Sequence, residues 1–457
     1  MKRVRSPSHS AILDAALPIP VLSDWKLLHD SVLALLPTAD LVRRSLARAG
    51  AGAGRRQYLK VAAFDMDDTL ITPLSGAVFP HDDPKDWKWL TPSVPGCLRH
   101  LYDAGFMVVV LSNQAGIGGK KWNEKKADAV KRKILLLSES LNVPFTALLS
   151  TKDNEWRKPS VGMWNLLEEH IRSTVKEDVA IDGQQRGFVF YVGDAAGRTI
   201  TTLAGRKRDF SCSDRKFALN IGVPFLTPEQ LYLHPLTQLL DDDKTEGVVH
   251  TQQESCAGKR LSESLLLMAE APCNVNWCGV SPDELHQLPK SYDNLVTSRL
   301  TASGTKEVVR LSSPPVFHRA AQEMILFVGF PGCGKTTFFN RFLKPAGYAH
   351  VNRDLLKSKE KCLAEASKWW KAGKSVVIDN TSPSHDDCKP FIDLVKQTRR
   401  STVPLPVRLF HFQVSRGMAE HMSAVRARIG IAPRISRVAY NVYQSKFQPW
   451  SAETCGR

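Results

Sequence analysis

The chain has 457 residues, enough for two or three domains, of which 43% are hydrophobic and 24% are charged. No run of about 18 apolar residues occurs, which argues against a membrane span, and the nine scattered cysteines do not resemble a secreted disulfide framework. The formal net charge of +16 favours an anionic partner, with nucleic acid first among them, and a basic surface without a specific ligand is the alternative.

The first 60 residues are expected to form a basic, partly disordered N-terminal extension. They lack the apolar core of a secretory signal. Their basic character favours a nuclear location, with the mitochondrion as the alternative, and the simplest interpretation is a solvated tail without a targeting role. A helical spacing of apolar residues predicts a short amphipathic helix that ends at Pro37. The residues on that spacing are Trp25, Leu28, Val32, Leu35 and Leu36.

From residue 61 onward, short apolar runs recur, and each ends at a glycine or a polar residue. They are Val61–Phe64 before Asp65, Met107–Leu111 before Ser112, Phe188–Val192 before Gly193, Met324–Val328 before Gly329, and Ser375–Ile378 before Asp379. Buried parallel strands read as continuous apolar runs, and open α/β sheets carry their chemistry beyond the carboxyl ends of the strands. We therefore predict two doubly wound parallel-sheet α/β domains, over 61–235 and 319–457, with a partly ordered connector over 236–318.

A pair of carboxylates follows the first of these strands. In Phe64-Asp65-Met66-Asp67, the side chains of Asp65 and Asp67 project to the same side of an extended turn. One carboxylate can attack phosphorus while the other handles the proton of the leaving group. Such a site also needs a divalent cation, a donor for the phosphoryl oxygens and a lysine to offset charge. The candidates, in chain order, are Ser112, Lys158 and Asp194.

This ordered set resembles the four motifs of the haloacid-dehalogenase-type (HAD-like, Rossmannoid) phosphatases. The resemblance implies that Asp65 is the nucleophile and forms an aspartyl-phosphate, and that Asp67 is the general acid and base. It also implies that Ser112 and Lys158 stabilise the phosphoryl group. The ligands that it implies for Mg²⁺ are Asp65, Asp67 and Asp194.

The fourth residue of the first motif departs from the family pattern. Asp68 stands where close relatives often have glycine. We consider that this additional carboxylate near Mg²⁺ alters the affinity of the site for the metal or the approach of an anionic substrate. The general pattern tolerates variation at this position, so catalytic activity is still expected.

A phosphate-binding loop follows the strand at Met324–Val328. Residues Gly329–Thr336 fit the pattern G-x-x-x-x-G-K-[ST], in which glycines let backbone N–H groups surround phosphates. Lys335 then reaches the β- and γ-phosphates and the Thr336 hydroxyl faces Mg²⁺, which predicts a P-loop NTPase-type kinase that uses ATP. The residues expected to bind the nucleotide are Gly329, Gly332, Gly334, Lys335, Thr336 and Thr337.

A kinase also needs groups that activate the acceptor and stabilise the transferred phosphate. Asp354 lies about one helix after the loop, where it can accept the proton of the acceptor hydroxyl, and a helix cap is the alternative. Asp379 ends the apolar run before it and is a candidate for organising magnesium or the substrate. Arg426 and Arg428 fall in a predicted helical lid, where arginine can neutralise phosphate, and a solvated helix face is the alternative.

The two motifs in this order resemble the polynucleotide kinase 3′-phosphatase family, over about residues 61–230 and 324–450. The stretches that carry the resemblance further are Ser112–Gly118, Arg157–Pro159, Val192–Arg198, Asp209–Arg215, Val351–Asp354 and Val377–Thr381. The resemblance implies that the first domain removes 3′-phosphates and that the second phosphorylates 5′-hydroxyls with ATP, at DNA ends in strand-break repair. It makes Asp354 the general base of the kinase and Arg353 and Asp379 substrate-binding candidates.

Two departures limit this resemblance. The 60 residues before the phosphatase are too few for the forkhead-associated domain of animal relatives, so docking to repair scaffolds is not expected. We expect the protein to be a monomer. The chain ends soon after Phe447-Gln448-Pro449, where the family usually continues with another strand and helix, so we consider a shortened kinase domain. The open alternatives are a phosphatase whose inactive kinase domain binds breaks, an RNA end-healing enzyme, and a fused phosphatase and kinase for small metabolites.

Overall fold

The computed structural model of the chain describes residues 24–49, 57–78, 81–119, 121–175, 178–181, 189–233, 275–286, 296–300, 306–310, 317–398 and 406–450. The chain divides into two compact units, Met1–Cys278 and Gly279–Arg457. Residues 1–23 of the predicted extension and most of the predicted connector over 236–318 lie outside the described residues. Within the described ranges, no helix is both long enough and apolar enough to cross a membrane.

The first unit is built on a seven-stranded sheet. The strands of this unit are β1 (Lys26–Leu28), β2 (Val32–Leu35), β3 (Gln57–Tyr58), β4 (Val61–Phe64), β5 (Ile71–Thr72), β6 (Lys88–Trp89), β7 (Met107–Asn113), β8 (Phe145–Ser150), β9 (Val179–Ala180), β10 (Val189–Val192) and β11 (Phe225–Leu226). The sheet order is β1-β2-β8-β7-β4-β10-β11, and β5 and β6 form a separate antiparallel pair that we call the flap. From β8 to β11 the neighbouring strands of the large sheet run parallel.

Helices cover both faces of this sheet, as the doubly wound prediction requires. They are α1 (Ala39–Arg48), α2 (Val94–Asp103), α3 (Glu124–Leu141), α4 (Gly162–Thr174), α5 (Ser213–Ile221) and α6 (Pro228–Tyr232). Helices α2 and α3 pack on one face, in a core that includes Phe64, while α1, α4 and α5 pack on the other, in a core that includes Ala63. Successive residues of a strand point to opposite faces, so β4 supplies both cores.

The helix predicted between Trp25 and Leu36 is wrong. The segment is instead a hairpin in which Lys26 pairs with Ala34, and β2 pairs antiparallel with β8. All four residues of β2 are buried, and His29 and Asp30 each have φ of 50°, the left-handed conformation common in tight hairpin turns. A short apolar run fits a strand as well as a helix, and burial on both sides of β2 favours the strand. The sheet therefore starts inside the predicted N-terminal extension.

The second unit contains a four-stranded parallel sheet and a separate hairpin. Its strands are β12 (Val296–Leu300), β13 (Lys306–Arg310), β14 (Met324–Val328), β15 (Ala349–Val351), β16 (Val376–Ile378) and β17 (Val407–His411). Its helices are α7 (Pro282–His286), α8 (Lys335–Phe338) with a π-helical turn over Phe339–Leu343, α9 (Arg353–Leu356), α10 (Lys359–Lys371), α11 (His385–Thr398), α12 (Arg416–Arg428) and α13 (Arg437–Lys446). The sheet order is β15-β16-β14-β17, with cores on both faces.

Four of the five predicted strand endings are confirmed, and they explain where the functional side chains lie. The fifth is wrong, because β7 continues past Leu111 to Asn113, where Ser112 and Asn113 still pair with β8, so Ser112 lies within the strand. In the first unit Phe64 at the end of β4 is in register with Val110 of β7 and with Val192 of β10. The residues that follow these three positions therefore emerge at one edge of the sheet. In the second unit β14 ends at Val328 and β16 ends at Ile378, directly before the phosphate-binding loop and Asp379.

Candidate active sites

The first site is centred on the buried ammonium group of Lys158. Its Nζ atom lies 2.7 Å from Asp65 Oδ1, from Asp214 Oδ1 and from the Tyr191 hydroxyl oxygen. Tyr191 in turn donates a hydrogen bond to Asp214 Oδ1 at 3.1 Å. Asn113 at the end of β7 holds the Lys158 backbone, since its side chain accepts from the amide N–H at 2.9 Å and donates to the carbonyl at 3.2 Å. Lys158 is thus fixed at both its backbone and its charged end.

Three carboxylates in this region lie close enough to share a cation. One oxygen each of Asp65, Asp194 and Asp214 lies within 4.8 Å of the others. Carboxylate oxygens are hard ligands that suit Mg²⁺, and three of them beside one ammonium group leave an excess of negative charge. The predicted metal ligands Asp65 and Asp194 belong to this group. Asp67 is the third predicted ligand, and among the described residues it does not belong to this group of carboxylates.

The excess negative charge changes the proton affinities of the cluster. Burial raises the pKa of Asp65 to about 7, Asp214 and Asp67 add to the rise, and Lys158 opposes it. Burial, with Asp214 and Asp65, also raises the pKa of Asp194 well above its usual range. Burial alone would lower the pKa of Lys158, but Asp214 and Asp65 outweigh it and raise that pKa. A divalent cation would take over the role of the bound protons.

Asp67 is not part of this group of carboxylates and is held by Gln114. The Gln114 side-chain amide donates to Asp67 Oδ2 at 2.8 Å and to Ser112 Oγ at 3.2 Å, so Gln114, the residue after β7, positions both Asp67 and Ser112. Asp67 also borders a cavity of about 30 Å³ lined in part by Lys126 and Lys133. A cavity of this size, with charged side chains in its lining, has room for one or two water molecules. Burial raises the pKa of Asp67, with Gln114 opposing, which suits a carboxyl group that exchanges a proton there.

The additional carboxylate of Asp68 is paired. Its Oδ2 atom lies 2.5 Å from both Nε and Nη2 of Arg206, and Thr72 donates a hydrogen bond to its Oδ1 at 3.3 Å. The residue has φ of 54°, the left-handed conformation in which glycine is common, and it is buried. The effect of Asp68 on metal affinity stays a prediction, and its pairing with Arg206 is what the structure adds.

Sequence reasoning missed three groups of the first site: Asp214, Tyr191 and Arg206. A signal for Asp214 was present, since it lies in the stretch Asp209–Arg215 that extended the family resemblance. A second signal is Gly193, where an added Cβ would lie 2.5 Å from Asp214 Oδ2, so the glycine is required by the approach of that carboxylate. The positions of Tyr191 and Arg206 relative to the site depend on tertiary packing, which spacing along the chain does not reveal.

The second site is formed by the loop between β14 and α8. Gly332 and Gly334 have φ of 79° and 96°, which is the left-handed backbone that a phosphate-binding loop requires. The Lys335 ammonium donates to the backbone carbonyl of Gly329 at 3.0 Å and of Phe330 at 2.7 Å. These carbonyl contacts are weaker partners than phosphate oxygens, so Lys335 is available to a nucleotide.

Asp379 organises the cation side of this second site. It accepts hydrogen bonds at Oδ2 from Thr336 Oγ1 at 2.6 Å and from Asn352 Nδ2 at 3.1 Å, and His350 Nε2 lies 2.9 Å from the same oxygen. Burial alone would raise the pKa of Asp379, but the hydrogen bonds from His350 and Thr336 outweigh it and lower that pKa. Asp379 is therefore an anion beside the Thr336 hydroxyl, a place that fits its predicted role with a cation.

The predicted acceptor residues lie at the start of α9 and are exposed. Asn352 is the N-cap of this helix, and its side chain accepts from the Asp354 amide at 2.8 Å, so capping is the task of Asn352 and not of the Asp354 carboxylate. The Arg353 amide donates to the Asn380 side chain at 2.9 Å, which fixes α9 beside the end of β16. The exposed side chains of Arg353 and Asp354 are accessible to a substrate.

The two predicted lid arginines lie in the last turn of α12, which is a helix as predicted. This helix packs beside the phosphate-binding loop, because Ala419 forms a small core with Cys333 and Tyr440. The structure thus places Arg426 and Arg428 on the helix that adjoins the loop. Their role in neutralising phosphate stays a prediction.

Comparison with known proteins gives relatives for both units. The family model described as polynucleotide kinase 3 phosphatase matches residues 60–232. A bifunctional polynucleotide phosphatase/kinase of Schizosaccharomyces pombe is 31% identical over 393 residues, which covers 85% of this chain and 76% of that protein. A provisionally assigned bifunctional polynucleotide phosphatase/kinase of Acanthamoeba polyphaga mimivirus is 31% identical over 406 residues, 85% of this chain and 81% of its own length. A polynucleotide 3′-phosphatase of Saccharomyces cerevisiae is 26% identical over 216 residues, 38% of this chain and 87% of that protein.

Proposed function

The chain belongs to the family of bifunctional polynucleotide phosphatase/kinases, and from this premise we propose that it prepares DNA strand-break ends for joining. The first unit removes the 3′-phosphate and the second phosphorylates the 5′-hydroxyl with ATP. The observation that carries the proposal is the position of the buried Lys158, which is paired with both Asp65 and Asp214. Together with Asp194, these two carboxylates form a group that suits a divalent cation. The net charge of +16 supports a polyanionic substrate.

In the first half of the phosphatase reaction, a carboxylate oxygen of Asp65 attacks phosphorus and the bond to the 3′-oxygen breaks. Asp67 supplies a proton to that leaving oxygen. Mg²⁺, which Asp65 and Asp194 would hold, would offset the charge of the phosphoryl oxygens. Lys158 has three N–H donors and three partners at 2.7 Å, so it exchanges one contact for a phosphoryl oxygen as Asp65 becomes an acyl phosphate.

In the second half, water releases the phosphate from Asp65. Asp67 is now a carboxylate and accepts a proton from a water molecule, whose oxygen attacks phosphorus while the bond to Asp65 breaks. The cavity of about 30 Å³ beside Asp67 is a source of that water. Gln114 keeps the Asp67 carboxylate in one orientation through its 2.8 Å hydrogen bond, so the same group serves both halves of the reaction.

In the second unit, Lys335 leaves its carbonyl partners for the phosphates of ATP, and Thr336 with Asp379 would hold the accompanying Mg²⁺. Asp354 accepts the proton of the 5′-hydroxyl, whose oxygen attacks the γ-phosphorus as ADP leaves. Arg353 contacts the polynucleotide. The lid arginines of α12 neutralise the transferred phosphate.

An RNA end-healing enzyme is the second candidate, because RNA and DNA present the same terminal phosphate and hydroxyl groups to these side chains. The basic N-terminus supports a nuclear location, with the mitochondrion as the alternative. We propose that the protein acts as a monomer, since each unit carries its own set of catalytic groups.

The test uses the full chain with Mg²⁺, ATP and a nicked DNA duplex that carries a 3′-phosphate and a 5′-hydroxyl, with both ends resolved on one gel. The expected result is conversion of both ends. Loss of the 3′-phosphate alone would contradict the kinase assignment and leave a phosphatase with a break-binding second unit. Conversion of a matched RNA nick, with no turnover of DNA, would replace the DNA proposal with RNA end healing.

A further inference from the structure

The ion pair of Asp68 and Arg206 links three segments around the first site. Asp68 follows Asp67 directly and lies on the loop that carries the nucleophile. Arg206 lies more than a hundred residues later, and its Nη2 also donates to the Val78 carbonyl, in the loop that joins the strands of the flap, at 3.2 Å. Asp68 is buried, and the Arg206 side chain is one-third exposed at 33%. One guanidinium group therefore bonds the catalytic loop and the flap together.

The segment that carries Arg206 is itself firmly anchored at its base. Arg198 bonds Asp209 through Nε at 2.9 Å and through Nη2 at 3.0 Å, which closes the loop 198–209. The Leu203 amide donates to Glu229 at 2.9 Å, and the Thr202 amide donates to the Arg206 carbonyl at 2.9 Å. A loop held this way presents the Arg206 guanidinium at one position. The contact with Asp68 is therefore built into the fold.

The charge of Asp68 acts on the groups that handle phosphate. Asp68 directly follows Asp67 on the loop that begins with Asp65, so its charge adds to that of the neighbouring carboxylates. An unpaired carboxylate here would also repel an incoming phosphate, because both are anions in a partly buried region. Arg206 supplies the compensating charge at 2.5 Å. The net charge of the Asp68 and Arg206 side chains together is therefore zero. Glycine at position 68 with a neutral residue at position 206 would give the same net charge.

We propose that Arg206 is a positioning residue of the phosphatase site that neutralises Asp68, so that the site binds phosphate despite its additional carboxylate. The inference rests on the proposed function only in taking phosphate as the ligand of the first site. It assigns Arg206 a partner in the protein and not a contact with the substrate. Binding of phosphate should then follow the net charge of the pair and not the presence of Arg206 as such.

This proposal gives a specific order of affinities for four proteins. Arg206→Ala leaves Asp68 unpaired and should weaken phosphate binding by about 3- to 10-fold, the effect of one charge at about 10 Å in a partly buried site. Asp68→Gly leaves the cation in excess and should strengthen binding, and glycine adopts the φ of 54° at this position without strain. The double variant Asp68→Gly/Arg206→Ala should bind phosphate about as the wild type does.

The experiment measures binding of inorganic phosphate to the full chain in Mg²⁺ by titration calorimetry. Lys207→Ala is the matched control, because it removes one positive charge from an exposed residue next to Arg206 and should leave phosphate affinity unchanged. Arg206→Lys keeps the charge and should restore most of the affinity that Arg206→Ala loses. Thermal unfolding of each variant separates a loss of folding from a loss of charge compensation.

A double variant that binds phosphate as weakly as Arg206→Ala would overturn the proposal, since Arg206 would then act on phosphate directly or through folding alone. Equal loss in Lys207→Ala would also overturn it, because long-range charge would be the cause. If Arg206→Ala does not fold, the phosphate affinity of Asp68→Gly relative to the wild type still tests the proposal. An affinity of Asp68→Gly that is equal to or weaker than that of the wild type counts against it. The expected order of phosphate affinities, in a chain that does not turn over polynucleotide 3′-phosphates, would contradict only the proposed function.

Discussion

The two units place similar groups beyond the ends of parallel strands, but they differ in how far the site is assembled before a ligand arrives. In the first unit the lysine is buried at 2% exposure, and its ammonium group is already paired with Asp65, Asp214 and Tyr191. In the second unit the ammonium group of Lys335 contacts backbone carbonyls of its own loop, and the predicted general base Asp354 is exposed.

The difference follows from what each reaction supplies. The phosphatase substrate brings one phosphoryl group, so the protein must provide the nucleophile, the proton donor and the compensating charges in place. ATP brings several phosphates with its own Mg²⁺, so the loop needs only donors that can turn toward them. We expect the first site to depend on interactions within the protein, and the second to depend on its nucleotide.

The largest effect is expected from Asp65→Asn, which removes the proposed nucleophile. Turnover of a 3′-phosphate should fall by about 1,000-fold or more, since an amide does not form the acyl phosphate. Kinase activity on a 5′-hydroxyl oligonucleotide should be retained within about 2-fold, as measured by transfer of labelled γ-phosphate. Lys335→Ala is the matched control with the opposite pattern. Loss of both activities in either folded variant would contradict the independence of the two sites.

A smaller effect is expected from Asp214→Asn, and it tests whether the first site is held together by its own charges. Lys158 is buried and loses one of two carboxylate partners, so 3′-phosphatase turnover should fall by about 10- to 100-fold. The melting temperature without ligand should fall as well. Lys335→Ala, which removes two carbonyl contacts and a 3.6 Å contact with Cys333 Sγ, should leave the melting temperature nearly unchanged. Equal losses of stability in the two variants would remove the distinction between the units.

The smallest effect concerns pH and metal. The pKa of Asp65 in the folded chain, about 7, lies above the ordinary value of about 4, so between these values the folded state holds a proton that the unfolded state has released. Without metal, the stability of the first unit should therefore fall as pH rises through this window. Mg²⁺ binds the ionised carboxylates and should raise the melting temperature more at pH 8 than at pH 5.5.

The control for this pH dependence is Asp65→Asn, in which the dependence should be reduced. The second unit has the opposite sign, because the pKa of Asp379 is lowered and its contribution to stability is lost only as pH falls below about 4. A stabilisation by Mg²⁺ that is equal at both pH values would mean that the carboxylates of the first site do not compete with protons for the cation.

The parts of the structure that the sequence predicts are those in which one short segment contains the whole signal. The apolar run Val61–Phe64 and the glycine-lysine pattern at Gly329–Thr336 each combine a strand with its chemistry, and both are where they were expected. The hairpin at β1 and β2 was missed because the few apolar residues between Trp25 and Leu36 fit the periodicity of a helix as well as that of a strand. Asp214 and Arg206 were missed because their importance comes from partners distant in sequence, Lys158 and Asp68.

The hairpin of β1 and β2 also determines how the first unit can be produced by itself. A fragment that begins at residue 60, where the family match begins, would lack both strands and leave the backbone groups of β8 without their partner β2. All six residues of β8 are buried, and an apolar strand with open hydrogen-bonding groups is a template for pairing with other chains. Such a fragment would aggregate even with its catalytic residues intact, so a soluble phosphatase fragment has to include the strands from Lys26 onward.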